Sequence, residues 1–342
     1  MHSLQGMRIA VFDTHRFDRE VLEAVNARHG HELTFFEARL GSATASLAGG
    51  FPAVCVFVND RLDEATLRTL HEGGTRLVAL RSAGFNNVDL RVAEGLGMRV
   101  VRVPEYSPYA VAEHAFAMLL ALVRKIPRAA VRVRDSNFSL EGLVGWDLHG
   151  KTMGLVGVGR IGHAAARIAR GFGMRVLAYD LRPDEKLAAE AGVEFVELDP
   201  LYRESDVISL HVPLTPATYH LIDAGALSKM KRGVVLINTG RGALIDSRAL
   251  IDKLKSGQVG GACLDVYEEE EGIFFHDLSD RVLLDDVLAR LISFPNVLIT
   301  SHQAFLTREA LENIAETTLT NVAAFERGEA LVNEVKAAQV LR

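Results

Sequence analysis

Three kinds of reactive side chain follow apolar, strand-like segments in the second half of this sequence. Arg241 stands in a Thr-Gly-Arg-Gly turn, His302 follows Asn-Val-Leu-Ile-Thr-Ser, and Asp265 precedes four consecutive glutamates at 268–271. A guanidinium can bind a carboxylate through two parallel hydrogen bonds, and an imidazole can give or take a proton near neutral pH. A carboxylate beside that imidazole would orient it and stabilise its charged form. The set predicts proton transfer on a carboxylate-bearing substrate, and the residues alone do not choose among the four glutamates.

Each of these residues can also be explained by a purely structural role, without catalysis or binding. Arg241 can be a solvated turn residue, and an acidic run is usually a solvated face, which we expect for three of the four glutamates. The chain has 12 histidines, so a carboxylate partner is what would distinguish His302. Among the others we expect exposed positions for His15, His29, His71, His163 and His220, and a hydrogen-bonded helix position for His114.

A glycine-rich turn indicates what else binds near these residues. Gly157, Gly159 and Gly162 have the G-x-G-x-x-G spacing between an apolar strand and a helix, and Asp180 ends the next apolar run eighteen residues later. This is the dinucleotide-binding fingerprint, in which the acid bonds the adenine ribose. A carboxylate accepts from a 2′-hydroxyl and repels a 2′-phosphate, so NAD is favoured over NADP, although Arg182 leaves NADP open.

Composition limits the class of protein. The chain has 342 residues, of which 49% are hydrophobic and 24% charged, and a formal net charge of −6, which suits a globular protein of two domains. It lacks the basic excess that nucleic-acid binding requires. The two cysteines, Cys55 and Cys263, lie in apolar runs, so we expect buried, unreactive thiols and a reducing compartment.

Apolar strand-like runs alternate with helical segments along the whole chain, which predicts parallel sheets. The fold class expected is α/β, with two doubly wound, Rossmann-like units. A helix is expected from Pro108 to Ile126 and another at about 308–328. The predicted strands are Arg8–Phe12, Ala53–Val58, Leu77–Leu80, Val100–Val103, Met153–Val156, Arg175–Tyr179, Val207–Leu210, Val234–Ile237, Gly261–Asp265 and Val297–Thr300.

No segment resembles a targeting or membrane-spanning sequence. The N-terminus enters a short strand-like run without the basic and apolar regions of a signal peptide. The longest apolar region, Tyr109 to Val123, is interrupted by Glu113 and His114 and is too short for a membrane span. We therefore expect a cytoplasmic protein without membrane partners.

Several longer runs carry a family resemblance that covers nearly the whole chain. They resemble the D-2-hydroxyacid dehydrogenases, and within that family the fermentative D-lactate branch. One local departure is Gly240, where many members have serine before the catalytic arginine. The runs are Leu80–Leu90, Val103–Pro108, Val111–His114, Arg134–Leu143, Ser205–Pro216, Ile237–Asp246, Asp265–Glu270 and Ser301–Thr307.

The resemblance implies a role for particular residues. The catalytic set would be Arg241, Glu270 and His302, which removes the ambiguity among the glutamates. Substrate contacts would be Ala83 and Gly84, through backbone N–H groups, with Tyr106 and Phe305, which could equally be core aromatics. Besides Gly157, Gly159, Gly162 and Asp180, the cofactor contacts would be Arg160, Ile161, Val212, Pro213, Thr218, Thr239 and Asp265. No metal site is expected.

The same resemblance implies the domain organisation and the reaction. A discontinuous substrate domain would comprise residues 1–104 and 303–342, and an NAD-binding domain residues 105–302, in a homodimer or higher homo-oligomer. The reaction would be reversible hydride transfer between NADH and pyruvate, giving D-lactate. One alternative is a larger 2-keto acid, such as 2-ketoisocaproate or phenylpyruvate, or hydroxypyruvate. An alternative of another class is an NAD-responsive corepressor, disfavoured because such proteins tend to carry disordered terminal segments that this chain lacks.

Overall fold

The computed structural model describes residues 6–184, 186, 189 and 192–339. The chain divides into two compact units, Met1–Ser107 with Leu306–Arg342, and Pro108–Phe305. The unit boundaries thus follow residues 107 and 305, where the sequence predicted boundaries after 104 and 302. Residues 1–5 and 340–342, at the ends of the predicted substrate domain, lie outside the described residues.

The first unit is a five-stranded parallel sheet in the order β2-β1-β3-β4-β5. One face is covered by the first and the last long helices, and the other by two shorter helices. The strands are β1 (Arg8–Val11), β2 (Glu32–Phe35), β3 (Ala53–Val56), β4 (Leu77–Leu80) and β5 (Arg99–Val101). The helices are α1 (Arg16–Asn26), α2 (Glu64–Glu72), α3 (Leu90–Gly95) and α11 (Arg308–Glu326).

The second unit is a seven-stranded parallel sheet in the order β12-β11-β10-β9-β6-β7-β8. Its strands are β6 (Thr152–Val156), β7 (Arg175–Tyr179), β8 (Val193–Phe195), β9 (Val207–Leu210), β10 (Val234–Asn238), β11 (Val259–Leu264) and β12 (Val297–Ile299). Its helices are α4 (Pro108–Val123), α5 (Ile126–Arg134), α6 (Arg160–Gly171), α7 (Leu198–Glu204), α8 (Ala224–Lys229), α9 (Ser247–Lys255) and α10 (Asp286–Ile292).

The apolar pattern of the strands explains why both faces are covered. The strands β6, β9 and β10 are buried at every position, as expected for strands with helices on both faces. The small side chains of α4 and α6, including Ala112, Ala115 and Ala165, let these helices lie close together on one face. The helices α7 to α10 cover the other face.

The predicted fold class is confirmed, and all ten predicted strands are present. Two further strands, β2 and β8, were not predicted. Both lie at the edge of a sheet, are only three or four residues long and carry exposed polar residues, so their sequences contain no sustained apolar pattern. The helix expected from Pro108 to Ile126 ends earlier, at Val123, and α5 follows after Lys125 in the left-handed conformation.

The two cysteines are buried, as predicted. Cys55 lies in β3 and Cys263 in β11, and burial raises the pKa of both thiols, with the charge of Arg81 opposing the rise at Cys55. None of the described helices is long and apolar enough to cross a bilayer.

Candidate active site

The predicted cofactor and catalytic residues of the second unit follow six adjacent strands at one edge of its sheet. In spatial order, His302 follows β12, Asp265 follows β11, and Thr239 and Arg241 follow β10. Val212 and Pro213 follow β9, the glycine turn follows β6, and Asp180 follows β7. Because the strands are parallel, these residues share the carboxyl edge of the sheet. The order of the strands reverses between β6 and β9, which is where ligands bind in open α/β sheets.

Close packing requires two of the three glycines of the turn, and the third borders an open space. Gly157 has φ +91°, and a Cβ there would lie 2.8 Å from the carbonyl oxygen of His211. A Cβ at Gly162 would lie 2.2 Å from the carbonyl oxygen of Gly157, so any side chain would push α6 away from the turn. At Gly159, the N-cap of α6, a Cβ would meet no atom within 4 Å. The turn therefore leaves space for a phosphate at the N-terminus of the helix.

Asp180 is fixed beside this turn by two backbone N–H groups. The Val158 N–H donates to Oδ2 at 2.8 Å, and the Arg182 N–H donates to Oδ1 at 2.9 Å. The carboxylate is therefore oriented before any ligand binds. Its position next to Gly157 and Gly159 is the one that a ribose-binding acid requires.

Thr239 supplies an independent indication that a polar ligand belongs at this edge. Its side chain is 8% exposed, and its Oγ1 is buried without a hydrogen-bond partner among the described residues. Buried hydroxyls are normally hydrogen-bonded. An unpaired hydroxyl at the end of β10 and the open space at Gly159 both fit a bound dinucleotide.

His302 and Glu270 form the pair that the family resemblance implied. Nδ1 of His302 lies 2.8 Å from Oε1 of Glu270, and the Tyr267 N–H donates to the other carboxylate oxygen at 3.2 Å. The side chains of the pair are 14% and 19% exposed, so water screens the contact only partly. Since Nδ1 contacts the carboxylate, Nε2 is the nitrogen left to exchange a proton with a substrate.

Asp265 builds the turn that presents His302. Its carbonyl accepts from the His302 N–H at 2.7 Å, and its carboxylate accepts from the Gln303 and Ala304 N–H groups and from Thr300 Oγ1. Burial raises the pKa of this carboxyl, but the hydrogen bonds from His114 and these groups together leave the pKa below its usual value. The turn places His302 at φ +54°, a conformation that costs free energy for a non-glycine residue.

Arg241 is positioned by a side chain that the sequence analysis did not single out, Asn238. The Asn238 amide donates to the Arg241 carbonyl at 2.9 Å and accepts from the Gly240 N–H at 3.1 Å. Within the described part of the chain, no carboxylate forms an ion pair with Arg241, so the guanidinium is available for an anionic substrate. A polar residue ending a buried strand is the signal that points to Asn238.

Many members of the family that this sequence resembles have serine at the position of Gly240, and the turn has room for glycine or for a small side chain there. A Cβ there would lie 3.3 Å from Leu244 Cδ1 and 3.5 Å from Asn238 Oδ1, both at the ends of side chains. Position 240 thus contributes mainly backbone to the turn.

The acidic run departs from the prediction that three of its glutamates are solvated. Glu269 and Glu271 are exposed, as expected, but Glu268 is half-buried. Its Oε1 lies 2.6 Å from Nε2 of His220, and its Oε2 accepts from the Ser247 N–H at 2.9 Å. The prediction of exposed positions for His15, His29, His71, His163 and His220 is also wrong, because all five are half-buried. The partner of His220 comes from a segment 48 residues away.

The remaining predicted cofactor residues follow the same sheet edge. Arg160 and Ile161 begin α6, and Thr218 closes a turn after β9 by donating to the Pro213 carbonyl at 2.7 Å and accepting from the Thr215 N–H at 2.8 Å.

Phe305 is 8% exposed in the second unit. His114 lies 3.1 Å from Thr300 Oγ1 and is hydrogen-bonded, as predicted.

In the first unit, Ala83 and Gly84 follow β4 at the carboxyl edge of its sheet. The Ala83 carbonyl accepts from Arg102 at 2.7 Å, and the Gly84 carbonyl accepts from Ser82 Oγ at 2.8 Å. Neither backbone N–H has an acceptor within the described residues, so both remain available to a carboxylate. The backbone of Tyr106 is held by the Asn313 amide at 2.7 Å.

The described residues contain no group of three or more histidine, cysteine or acidic side chains arranged to hold a metal ion.

The histidine at the end of β9, His211, predicts a pH dependence of stability. Burial lowers its pKa to about 4, while Ser209 Oγ lies 3.0 Å from Nε2. In the unfolded chain His211 binds a proton near pH 6.5, whereas in the folded chain it stays neutral until about pH 4. The free energy of unfolding therefore falls as the pH drops below 6.5. Between pH 7 and pH 5, the free energy of unfolding should fall by about 2 kcal/mol more in the wild type than in His211→Gln, as measured by urea unfolding. Equal losses in both proteins would contradict this.

A known protein family matches the part of the sequence that contains this site. The sequence profile of the "D-isomer specific 2-hydroxyacid dehydrogenase, NAD binding domain" family matches residues 116–304. These residues contain the glycine turn, Asp180, Arg241, Glu270 and His302.

Individual relatives match over nearly the full length. D-lactate dehydrogenase of Escherichia coli K12 is 52% identical over 96% of this chain and 100% of the relative. The apo structure of the E. coli enzyme covers 96% of this chain and 100% of its own, with a TM-score of 0.88. Lactobacillus jensenii D-lactate dehydrogenase with NAD+ gives a TM-score of 0.81 at 31% identity, covering 96% and 100%. An aromatic 2-oxoacid reductase of Clostridium sporogenes is 41% identical over 94% of this chain and 96% of the relative.

Proposed function

Because the chain belongs to the D-isomer specific 2-hydroxyacid dehydrogenase family, whose cofactor is NAD, we propose that it reduces pyruvate to D-lactate with NADH. The observation that carries the proposal is the His302–Glu270 contact of 2.8 Å, at the sheet edge that also holds the dinucleotide turn and Arg241. The names of the E. coli and L. jensenii relatives support the choice of substrate.

Arg241 binds and polarises the substrate in this proposal. Its guanidinium donates two parallel hydrogen bonds to the carboxylate of the keto acid, and its positive charge stabilises the alkoxide that develops on the ketone oxygen. Asn238 keeps the Arg241 turn in place through two hydrogen bonds. The family resemblance also implies substrate contacts at the backbone N–H groups of Ala83 and Gly84.

His302 acts as the proton donor. The bound NADH supplies the hydride to the ketone carbon. Nε2 of His302 gives its proton to the oxygen as negative charge builds there, and Glu270 stabilises the charged imidazole through Nδ1. In the reverse direction the neutral imidazole takes the hydroxyl proton. Val158 and Arg182 hold Asp180 in place to accept from the adenine ribose.

The pH profile of the Glu270→Gln variant tests the role of this carboxylate. Reduction requires protonated His302, and the neutral amide no longer stabilises the imidazolium. The pH above which kcat for reduction falls off should therefore be lower in the variant than in the wild type. The matched control is Glu269→Gln, one residue earlier and exposed. A profile that is the same in wild type and Glu270→Gln would remove Glu270 from the pair.

Turnover on a small set of keto acids tests the function. NADH absorbance should fall with pyruvate, 2-ketoisocaproate, phenylpyruvate and hydroxypyruvate at different rates, with NADPH as the cofactor control and the chirality of the product assigned. We expect pyruvate to have the highest kcat/KM and the product to be D-lactate. Preference for a larger acid would keep the mechanism and change the substrate. No turnover on any of them would favour the corepressor alternative.

The similarity to an aromatic 2-oxoacid reductase supports a second candidate, a dehydrogenase for a bulkier keto acid. Tyr106 and Phe305 are the aromatic residues predicted to contact the substrate side chain. One methylene in an apolar pocket contributes only about 1–3 kcal/mol of discrimination, so a small change in a side chain that contacts the substrate changes the preferred substrate.

The apolar surface of the second unit supports a homodimer. The helix α5 has no buried side chain, and the segment after it continues the exposed surface. A group of large apolar residues exposed within one short segment of the chain is unusual on a monomer and indicates an interaction surface. Light scattering after size exclusion should give twice the monomer mass of 37.3 kDa or a higher multiple. The exposed residues are Ile126, Val131, Val133, Phe138, Leu140 and Val144.

The cytoplasmic location of the protein stays a prediction.

A further inference from the structure

Two glutamates of the acidic run are half-buried, and each contacts a different histidine. Glu268 contacts Nε2 of His220 at 2.6 Å, and Glu270 contacts Nδ1 of His302 at 2.8 Å. The mechanism above uses only the second pair. The first is a partly buried contact, with side chains 27% and 18% exposed.

His220 fastens the end of the loop that follows β9 to the turn that begins at Arg241. The His220 N–H donates to the Ala243 carbonyl at 2.8 Å, and the Ile222 N–H donates to the Leu244 carbonyl at 3.0 Å. His220 has φ +49°, which costs free energy and persists only where the surrounding contacts hold it. The loop, residues 211–222, is thus joined to the segment that carries the predicted substrate-binding arginine.

Glu268 connects this loop to two further segments. Its second oxygen accepts from the Ser247 N–H at the N-terminus of α9, where a helix favours negative charge. A Cβ at Gly242 would lie 2.4 Å from the Glu268 nitrogen, so the turn after Arg241 packs directly on the backbone of the acidic run. One carboxylate therefore links loop 211–222, the start of α9 and the segment leading to Glu270.

The loop has internal hydrogen bonds of its own, but they do not attach it to the sheet. Thr218 bonds only within the loop, to Pro213 and Thr215. These bonds define a local turn. The position of that turn is set by the His220 contacts together with the His211 N–H bond to the Val156 carbonyl and the Ile222 N–H bond to the Leu244 carbonyl. The residues predicted to contact the cofactor here are Val212, Pro213 and Thr218.

We propose that His220 and Glu268 are a positioning pair that holds loop 211–222 ready for the cofactor and thereby sets the affinity for NADH. The inference rests on the proposed function for its choice of cofactor-binding residues. A loop that is ordered before binding loses less conformational entropy on binding, so more of the contact free energy appears as affinity. Breaking the pair weakens NADH binding without touching the proton donor.

The test is a fluorescence titration with NADH, without any keto acid, on Glu268→Ala and His220→Ala. Each variant should bind NADH about tenfold more weakly, in line with the loss of one charge-assisted hydrogen bond. The double variant should be no weaker than the weaker single variant if the two residues act as a unit. The matched controls, Glu269→Ala and Glu271→Ala, remove exposed members of the same run and should bind as wild type.

Two further readouts separate positioning from general destabilisation. His220→Gln should restore most of the affinity, because its amide nitrogen can donate from the position of Nε2. Glu268→Gln keeps an acceptor for Ser247 if Glu268→Ala fails to fold, and should still bind NADH more weakly. The pH above which reduction falls off should stay at the wild-type value in all Glu268 and His220 variants, in contrast to Glu270→Gln.

Dissociation constants within twofold of wild type for both Glu268→Ala and Glu268→Gln would overturn the proposal, as would equal weakening by Glu269→Ala. Failure of His220→Gln to restore binding would also overturn it. The titration contains no keto acid, so a different preferred substrate would count against D-lactate formation and leave this result unchanged.

Discussion

The substitution His302→Ala should lower kcat for keto acid reduction by about 100- to 10,000-fold, the usual contribution of general acid catalysis. The variant loses the only side chain of the proposed site that both contacts a carboxylate at 2.8 Å and can donate a proton near neutral pH. Affinity for NADH should be unchanged, because the dinucleotide turn and Asp180 do not contact this side chain. Stopped-flow reduction, combined with an NADH titration, measures both quantities.

A suitable control is His149→Ala, which removes an exposed histidine of the same unit. It should keep wild-type turnover. If His302→Ala kept near-normal reduction, another group would have to supply the proton, and the assignment of His302 would be wrong. A loss of NADH binding in His302→Ala would instead indicate collapse of the turn built by Asp265.

The substitution Arg241→Gln should lower kcat/KM for the keto acid by about 100- to 1,000-fold, with NADH affinity unchanged. Glutamine can donate one hydrogen bond but lacks both the positive charge and the planar fork that matches a carboxylate. KM for the keto acid should rise, because the same guanidinium binds the ground-state carboxylate. Steady-state kinetics over a range of keto acid concentrations separates the two parameters.

The matched control is Arg248→Gln, which removes an exposed arginine seven residues later on α9. It should leave both parameters at the wild-type value. Retention of KM and kcat in Arg241→Gln would show that the substrate carboxylate is bound elsewhere.

Local patterns in the sequence were sufficient for the parallel fold and for most strands. Buried strands of a parallel sheet are continuous apolar runs, and the runs at β6, β9 and β10 could be recognised without any knowledge of their neighbours. Edge strands such as β2 and β8 lack this pattern, since solvent replaces one neighbour, and only pairing with β1 and β7 defines them.

The glycine turn and its acid could also be predicted, because the groups that bind a dinucleotide lie close together in sequence. Gly157, Gly159 and Gly162 act through local backbone geometry, and Asp180 follows one strand later. The residues that support Arg241 were not predicted. Asn238 ends a buried strand, and its amide role depends on the conformation of the turn after it.

The sequence by itself determined the fold class, the dinucleotide turn and the side chains capable of proton transfer, because each depends on residues within one strand–turn–helix segment. Which carboxylate joins which histidine was decided by tertiary structure. Glu268 and Glu270 are chemically identical and two residues apart, yet one contacts His220 and the other His302. The two histidines come from segments 48 and 32 residues away, and only the packing of adjacent parallel strands brings those segments to the same edge of the sheet.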